Sequence, residues 1–189
     1  MFARISYTFG YRTARVDDAL AFLLDQQQTD GGWNCAARGD RSKHSSFHTT
    51  VMALEALTAA GAADTTAVRR GLDFFLNHRL YRSHRTGEVA IRASTRFPAF
   101  PEWHFDVLRG LELFADTTDP GDERLTDAVD LVRAARRADG RWPRYQQYAG
   151  PQWFTLEPPG PSRWTTTRAL RILTWWDGNQ PSSSGGTIR

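Results

Sequence analysis

A chain of 189 residues is long enough for one domain with a sizeable core, since roughly 150 residues already bury about 70% of their unfolded surface. Hydrophobic residues make up 40%, charged residues 24% and aromatic residues 12%, a globular composition with an aromatic excess that argues against disorder outside the ends. A net charge of +3 without Lys/Arg runs excludes a nucleic-acid footprint; the lone Cys35 excludes an intramolecular disulfide and fits a reducing cytoplasm; no window approaches the roughly 18 to 20 apolar residues of a membrane span.

Residues 1–15, MFARISYTFGYRTAR, form an N-terminal segment without the apolar core of a signal peptide. From residue 16 the chain repeats itself. ALAFLLDQQQTDGGW (Ala19 to Trp33) aligns without gaps on AVDLVRAARRADGRW (Ala128 to Trp142), so that Leu20 meets Val129, Leu23 meets Val132, and Gly31 and Trp33 meet Gly140 and Trp142. GLDFFLNHRLYRSHR from Gly71 keeps the apolar pattern and drops the Gly-x-Trp turn. Apolar residues three and four apart, as in Leu20, Leu23 and Leu24, put one stripe along an α-helix, and Asp-Gly or Gly-Gly is read as its end.

Each copy is followed by a second helical segment: SSFHTTVMALEALTAAG from Ser45, EWHFDVLRGLELFAD from Glu102, and PSRWTTTRALRILTWW from Pro161. Ser45 or Ser46 is placed to cap the first, and Pro101 stands just ahead of the second. The expected fold is all-α, about three helical hairpins across residues 16–177, with EVAIRAS as a short ambiguous segment and a disordered polar tail over 178–189. The connections at Trp33–Ser45, Gly87–Pro101 and Trp142–Pro161 are long for helix pairs. They read either as a functional rim or as covers for the open end of a bundle.

Phe22-Leu23, Gln27, Gly31 and Trp33, at their spacing, resemble the QW repeat of squalene and oxidosqualene cyclases, related in fold to protein prenyltransferase β-subunits. The copy ending at Trp142 keeps the spacing with Arg136 in place of the glutamine. The resemblance implies an α/α toroid whose paired inner and outer helices circle an aromatic cavity, with Gln27, Trp33 and Trp142 as structural residues tying a helix end to its neighbour. Three hairpins make only part of such a ring. A partial toroid leaves its inner face to the long loops, to a second copy in a homodimer, or to another partner.

The segment FHTTVMALEAL is similar to the opening of an inner helix in prenyltransferase β-subunits, where the position of His48 is a zinc ligand. The Asp-x-Cys pair that completes that site is absent, and so is the Asp-x-Asp-Asp acid of the cyclases. Read from the residues alone, Cys35, His44, His48 and His104 are candidate zinc ligands, and His48, His104 and Asp106 are candidate acid–base residues at one rim. Phe47, Trp103, Phe105 and Trp164 are candidates for lining a cavity, against the alternative that aromatics at helical spacing are core. The turn HRLYRSHRTGEV gathers His78, Arg79, Arg82, His84, Arg85 and Glu88, as a diphosphate-binding cluster or as a solvated turn with a Glu88 ion pair. Two functions follow: a cyclase- or prenyltransferase-like protein holding an isoprenoid or other apolar ligand, or a noncatalytic repeat module binding a protein, peptide or lipid.

Overall fold

The computed structural model describes residues 1–36, 44–118, 120–148, 150 and 154–178. The tail expected from Gly178 therefore lies, beyond its first residue, outside the described residues. The helices are α1 (Phe2–Thr8), α2 (Ala14–Asp25), α3 (Phe47–Ala59), α4 (Thr66–Asn77), α5 (Val107–Thr117), α6 (Thr126–Ala134) and α7 (Arg163–Asp177). Two 3-10 turns (Arg92–Thr95 and Glu123–Leu125) join them, with one two-residue antiparallel pair, β1 (Trp142–Pro143) and β2 (Pro161–Ser162). The chain is mostly helical, as the periodicity required. No described helix is long and apolar enough to cross a membrane.

Two layers result. Helices α1, α3, α5 and α7 pack one against the next in series, while α2 lies against α1 and α3, α4 against α3, and α6 against α5 and α7. The core runs between the layers and contains Leu54, Leu57, Phe75, Leu108, Leu111, Val129 and Ile172 with the two tryptophans Trp33 and Trp142. The segment set apart at the N-terminus supplies α1, which buries Ala3 beside Val16 and Ala56 while leaving Phe2 and Ile5 exposed on its other face, with Phe9 exposed just past its end.

Helix limits differ from the sequence expectation where capping decides them. The second inner helix begins at Val107, not Glu102, because Asp106 accepts the Arg109 amide at 2.9 Å and Glu102 takes a left-handed φ of 53° that no helix tolerates. Trp103, His104 and Phe105 thus lie ahead of α5 and not in its first turn. Ser46 holds the N-cap position of α3 without a side-chain bond, and Ser45 turns instead to Asp30. The glycines do not end their helices. α2 stops at Asp25 and α6 at Ala134, and Gly31 and Gly140 shape the turns beyond them with φ of 92° and 79°.

Those two turns are the same object built twice. The Trp33 indole donates to Leu23 O at 2.6 Å and the Trp142 indole to Val132 O at 2.7 Å. The Trp33 amide donates to Thr50 Oγ1 at 2.9 Å, and the Trp142 amide to Thr166 Oγ1 at 3.0 Å. Each ring is buried, and each hydrogen bond occupies a carbonyl near a helix end that burial would otherwise orphan. Gln27 donates to Gly31 O at 2.7 Å and to Ala67 O of α4 at 2.8 Å, joining the turn to the next helix but one. Arg136, standing at the corresponding place, donates to Gly140 O at 3.0 Å.

Gly31 also has no room for a side chain, since a Cβ there would collide with the Arg70 carbonyl of α4. Gly61 has a comparable φ of 81° with nothing within 4 Å. Gly61→Ala is expected to cost about 1 to 2 kcal/mol from its left-handed backbone alone. Gly31→Ala must in addition push α4 away, for a total of at least about 3 kcal/mol. Urea unfolding of both variants measures the difference, and equal losses would remove the close approach as its cause.

Candidate functional site

His48 and His104 do meet. Their rings lie 5.7 Å apart at 90°, one from the first turn of α3 and one from the segment ahead of α5. His48 Nδ1 accepts the Phe105 amide at 2.8 Å, which requires a neutral ring there and puts its proton on Nε2. Burial, then the charges of His104 and Arg109, push its pKa below the ordinary imidazole value, in keeping with that bond. His104 is sandwiched between Trp103, stacked at 3.7 Å, and Tyr148, stacked at 3.3 Å, and burial lowers its pKa as well.

Asp106 belongs to the same wall but serves it differently. It is fully buried, and Oδ1 caps α5 while Arg168 stands 4.0 Å away. Burial outweighs the Arg168 charge and the capping bond and raises its pKa to about 6. Its Oδ2 and His104 Nδ1 have no hydrogen-bond partner. The three residues are neighbours along one rim, with Asp106 sealed behind it.

The four aromatic candidates separate. Phe105 is fully buried and stacks on Phe75 at 5.1 Å as a core residue, whereas Phe47 packs edge-on against Phe74 and Phe75 and also borders a cavity of about 730 Å³ beside His78. Trp103 and Trp164 are about half exposed, Trp164 tilted against Phe100 at 5.5 Å.

Among the described residues a zinc site does not assemble. Cys35 is exposed, while His44 borders that same cavity of about 730 Å³ together with Asp30, His78 and His84. Among the described residues no three of His, Cys, Asp or Glu are placed to hold a metal ion.

The basic turn is partly spent on itself. Arg82 pairs with Asp127 at 3.3 Å and donates to Gly87 O, so its acidic partner is Asp127 and not Glu88. His78 Nδ1 lies 2.7 Å from Phe74 O, and its Nε2 lies 2.9 Å from His84 Nδ1. A carbonyl can only accept, so His78 carries its proton on Nδ1 and His84 donates to it.

The feature that sequence reasoning missed is a cavity of about 510 Å³ between the segments leading into α5 and α7. Phe100, Tyr145, Tyr148 and Leu156 give it apolar walls, and Arg144 and Glu157 border it. Its volume falls in the usual range of ligand sites, roughly 300 to 1,000 Å³. The Gln147 side chain clamps the backbone of Phe100, accepting from its amide at 3.3 Å and donating to its carbonyl at 2.8 Å. Through Tyr148 the cavity adjoins the His104 sandwich. The only sequence signal was the density of Tyr, Gln and Phe in an unusually long connection.

A second cleft lies along the α1, α3, α5, α7 layer. Its lining mixes ion pairs with apolar groups: Ala59, Leu113 and the predicted cavity residue Trp164 border it, Arg4 and Arg109 share Glu55, Arg168 pairs with Glu112 at 2.8 Å, and Arg171 with Asp116 at 3.0 Å.

Over 87 residues the chain is 38% identical to lanosterol synthase of Mus musculus, an alignment that takes in 42% of this chain and 12% of that protein. The chain thus spans a small part of that relative's length. No family profile and no solved structure matches it.

Asp106 gives the site a pH signature. Between 3.8 and about 6 the folded chain holds a proton that the unfolded chain has lost, so stability falls as pH rises through this window and levels off above it. The span corresponds to about 3 kcal/mol. Asp106→Asn keeps an acceptor for the Arg109 amide and cannot ionise. Its advantage in unfolding free energy over the parent is expected to grow by up to about 3 kcal/mol between pH 4 and 7. A gap that does not change with pH would show that burial of the charge is not what strains the site.

Proposed function

We propose that this chain is a terpenoid cyclase-like α/α repeat module, an arc of a toroid, that binds an isoprenoid or other extended apolar ligand at its loop rim. The observation that carries this reading is the 510 Å³ cavity walled by Phe100, Tyr145, Tyr148 and Leu156. Large, rigid ring faces bury apolar chain at little entropic cost. The likeness to part of lanosterol synthase and the twice-built tryptophan turn favour the same assignment. In this reading His48, His104 and Asp106 are positioning residues: His48 holds the Phe105 amide, Asp106 caps α5, and His104 backs the Tyr148 wall.

A second reading is favoured by the second cleft. A face on which Arg4, Glu55, Arg109, Glu112, Arg168 and Arg171 surround Leu113 and Trp164 suits a protein or peptide that presents both charged and apolar side chains, and would make the chain a noncatalytic docking module. The exposed Phe2 and Ile5 of α1, with Phe9 just past its end, are where a second copy or another protein would cover this face of the arc.

Titration with farnesol, geranylgeraniol and squalene separates the two. The first reading expects at least one of them to raise the thermal unfolding midpoint in proportion to occupancy. Tyr148→Ala is expected to weaken that binding by about tenfold or more, the loss of one buried ring face. No stabilisation by any of the three would overturn the rim as an isoprenoid site.

A further inference from the structure

Glu157 has a use that its place in a proline-rich connection conceals. The residue is 6% exposed, yet it is a charged side chain in a segment without helix or strand. Its Oε1 accepts three hydrogen bonds, from Ser162 Oγ at 3.0 Å, the Arg163 amide at 2.7 Å and the Trp164 amide at 3.1 Å. One carboxylate oxygen thereby serves the N-terminus of α7, a helix of 15 residues. The other oxygen, Oε2, is buried and has no hydrogen-bond partner. A buried acceptor left unmade is costly, and in native structures such an atom calls for an occupant.

The neighbours narrow what that occupant is. Glu157 is one of the residues lining the 510 Å³ cavity, and because Oε2 itself is closed to solvent a donor reaches it from the cavity as the side chains covering it give way. The nearby Gln147 amide is committed to Phe100, and Arg144 donates to the Glu157 carbonyl at 2.8 Å and not to its carboxylate. A carboxylate oxygen accepts only, so the missing group is a donor. The guanidinium of Arg144 and the positive end of α7 stand beside it, and both oppose a second cation. A neutral hydroxyl satisfies the oxygen without that repulsion.

We infer that the rim cavity selects apolar ligands ending in an alcohol, with the ligand hydroxyl donating to Glu157 Oε2 while the hydrocarbon lies against Phe100, Tyr145 and Tyr148. This rests on the rim cavity being the apolar-ligand site and adds the identity of the ligand's polar end.

The test compares farnesol with farnesyl methyl ether, which has the same chain and no donor, on the full chain and on Glu157→Gln. The parent is expected to bind the alcohol about tenfold or more tightly than the ether, the scale of a hydrogen bond to a charged acceptor. Glu157→Gln keeps a carbonyl oxygen for Ser162, Arg163 and Trp164 and places an NH2 donor where Oε2 was, so the preference is expected to vanish or invert towards the ether. The comparison on the parent needs no variant and stands if the substitution unfolds the chain. Equal affinity of the parent for both molecules overturns the inference, a water then filling the place of the hydroxyl, and leaves the apolar site intact. An alcohol preference unchanged in a folded Glu157→Gln overturns it too. Binding of neither molecule to the parent removes the rim site itself, and the inference with it.

Discussion

Two arginine forks, one buried and one partly buried, hold α3, α5 and α7 together. Arg109 of α5 grips the Glu55 carboxylate of α3 with Nε at 2.7 Å and Nη2 at 2.6 Å, and Arg168 of α7 grips Glu112 of α5 with Nε at 2.9 Å and Nη2 at 2.8 Å. In both, the remaining Nη1 reaches backbone of the segment ahead of α5: Glu102 O and His104 O for Arg109, Pro98 O for Arg168. A guanidinium is planar and donates from a fixed fork, which a lysine cannot copy. Buried pairs of this kind add little net stability, because desolvation offsets attraction. What they do supply is geometry. Consecutive helices and the intervening segment are set by the same two side chains, and the wall that carries Phe100 and His104 is set with them.

That dependence accounts for the uneven legibility of the chain. The Trp33 and Trp142 turns could be read because their parts are local: a periodic apolar run, a glycine needing positive φ, and a tryptophan at fixed spacing. The start of α5 was misplaced because the Asp106 side chain decides it by accepting the backbone amide three residues on, and an Asp immediately ahead of an apolar periodic run is a signal the sequence does contain. Helix α1 carries only a short amphipathic pattern, and its packing rests on the small Ala3 against Ala56 and Val16. The meeting of His48 and His104 followed from placing both at the openings of neighbouring inner helices, although only His48 is helical.

Where irregular backbone builds the site, the sequence was mute. Glu157 lies inside the long Trp142–Pro161 connection, and its role depends on the chain doubling back within a few residues to place Ser162, Arg163 and Trp164 at its carboxylate. Phe105 and Trp103, two residues apart, read alike as cavity aromatics, yet one is fully buried and the other about half exposed. What separates them is the backbone ahead of α5, turned at Glu102 and held by Arg109, which no periodicity reports.

The stitching of the first turn to α4 shifts where the natural divisions of the chain fall. Gln27 bonds Ala67 O, Arg70 bonds Gln28 O and Thr29 O, Gly31 gives way to the Arg70 backbone, and Gly71 leaves room for the Trp33 ring. The packing unit is therefore out of phase with the sequence repeat: it pairs the end of one copy with α4, the first helix of the next. Cutting between Gly61 and Thr65, where an alignment of copies would divide them, severs a joint rather than a seam, and leaves Trp33 without one of its walls.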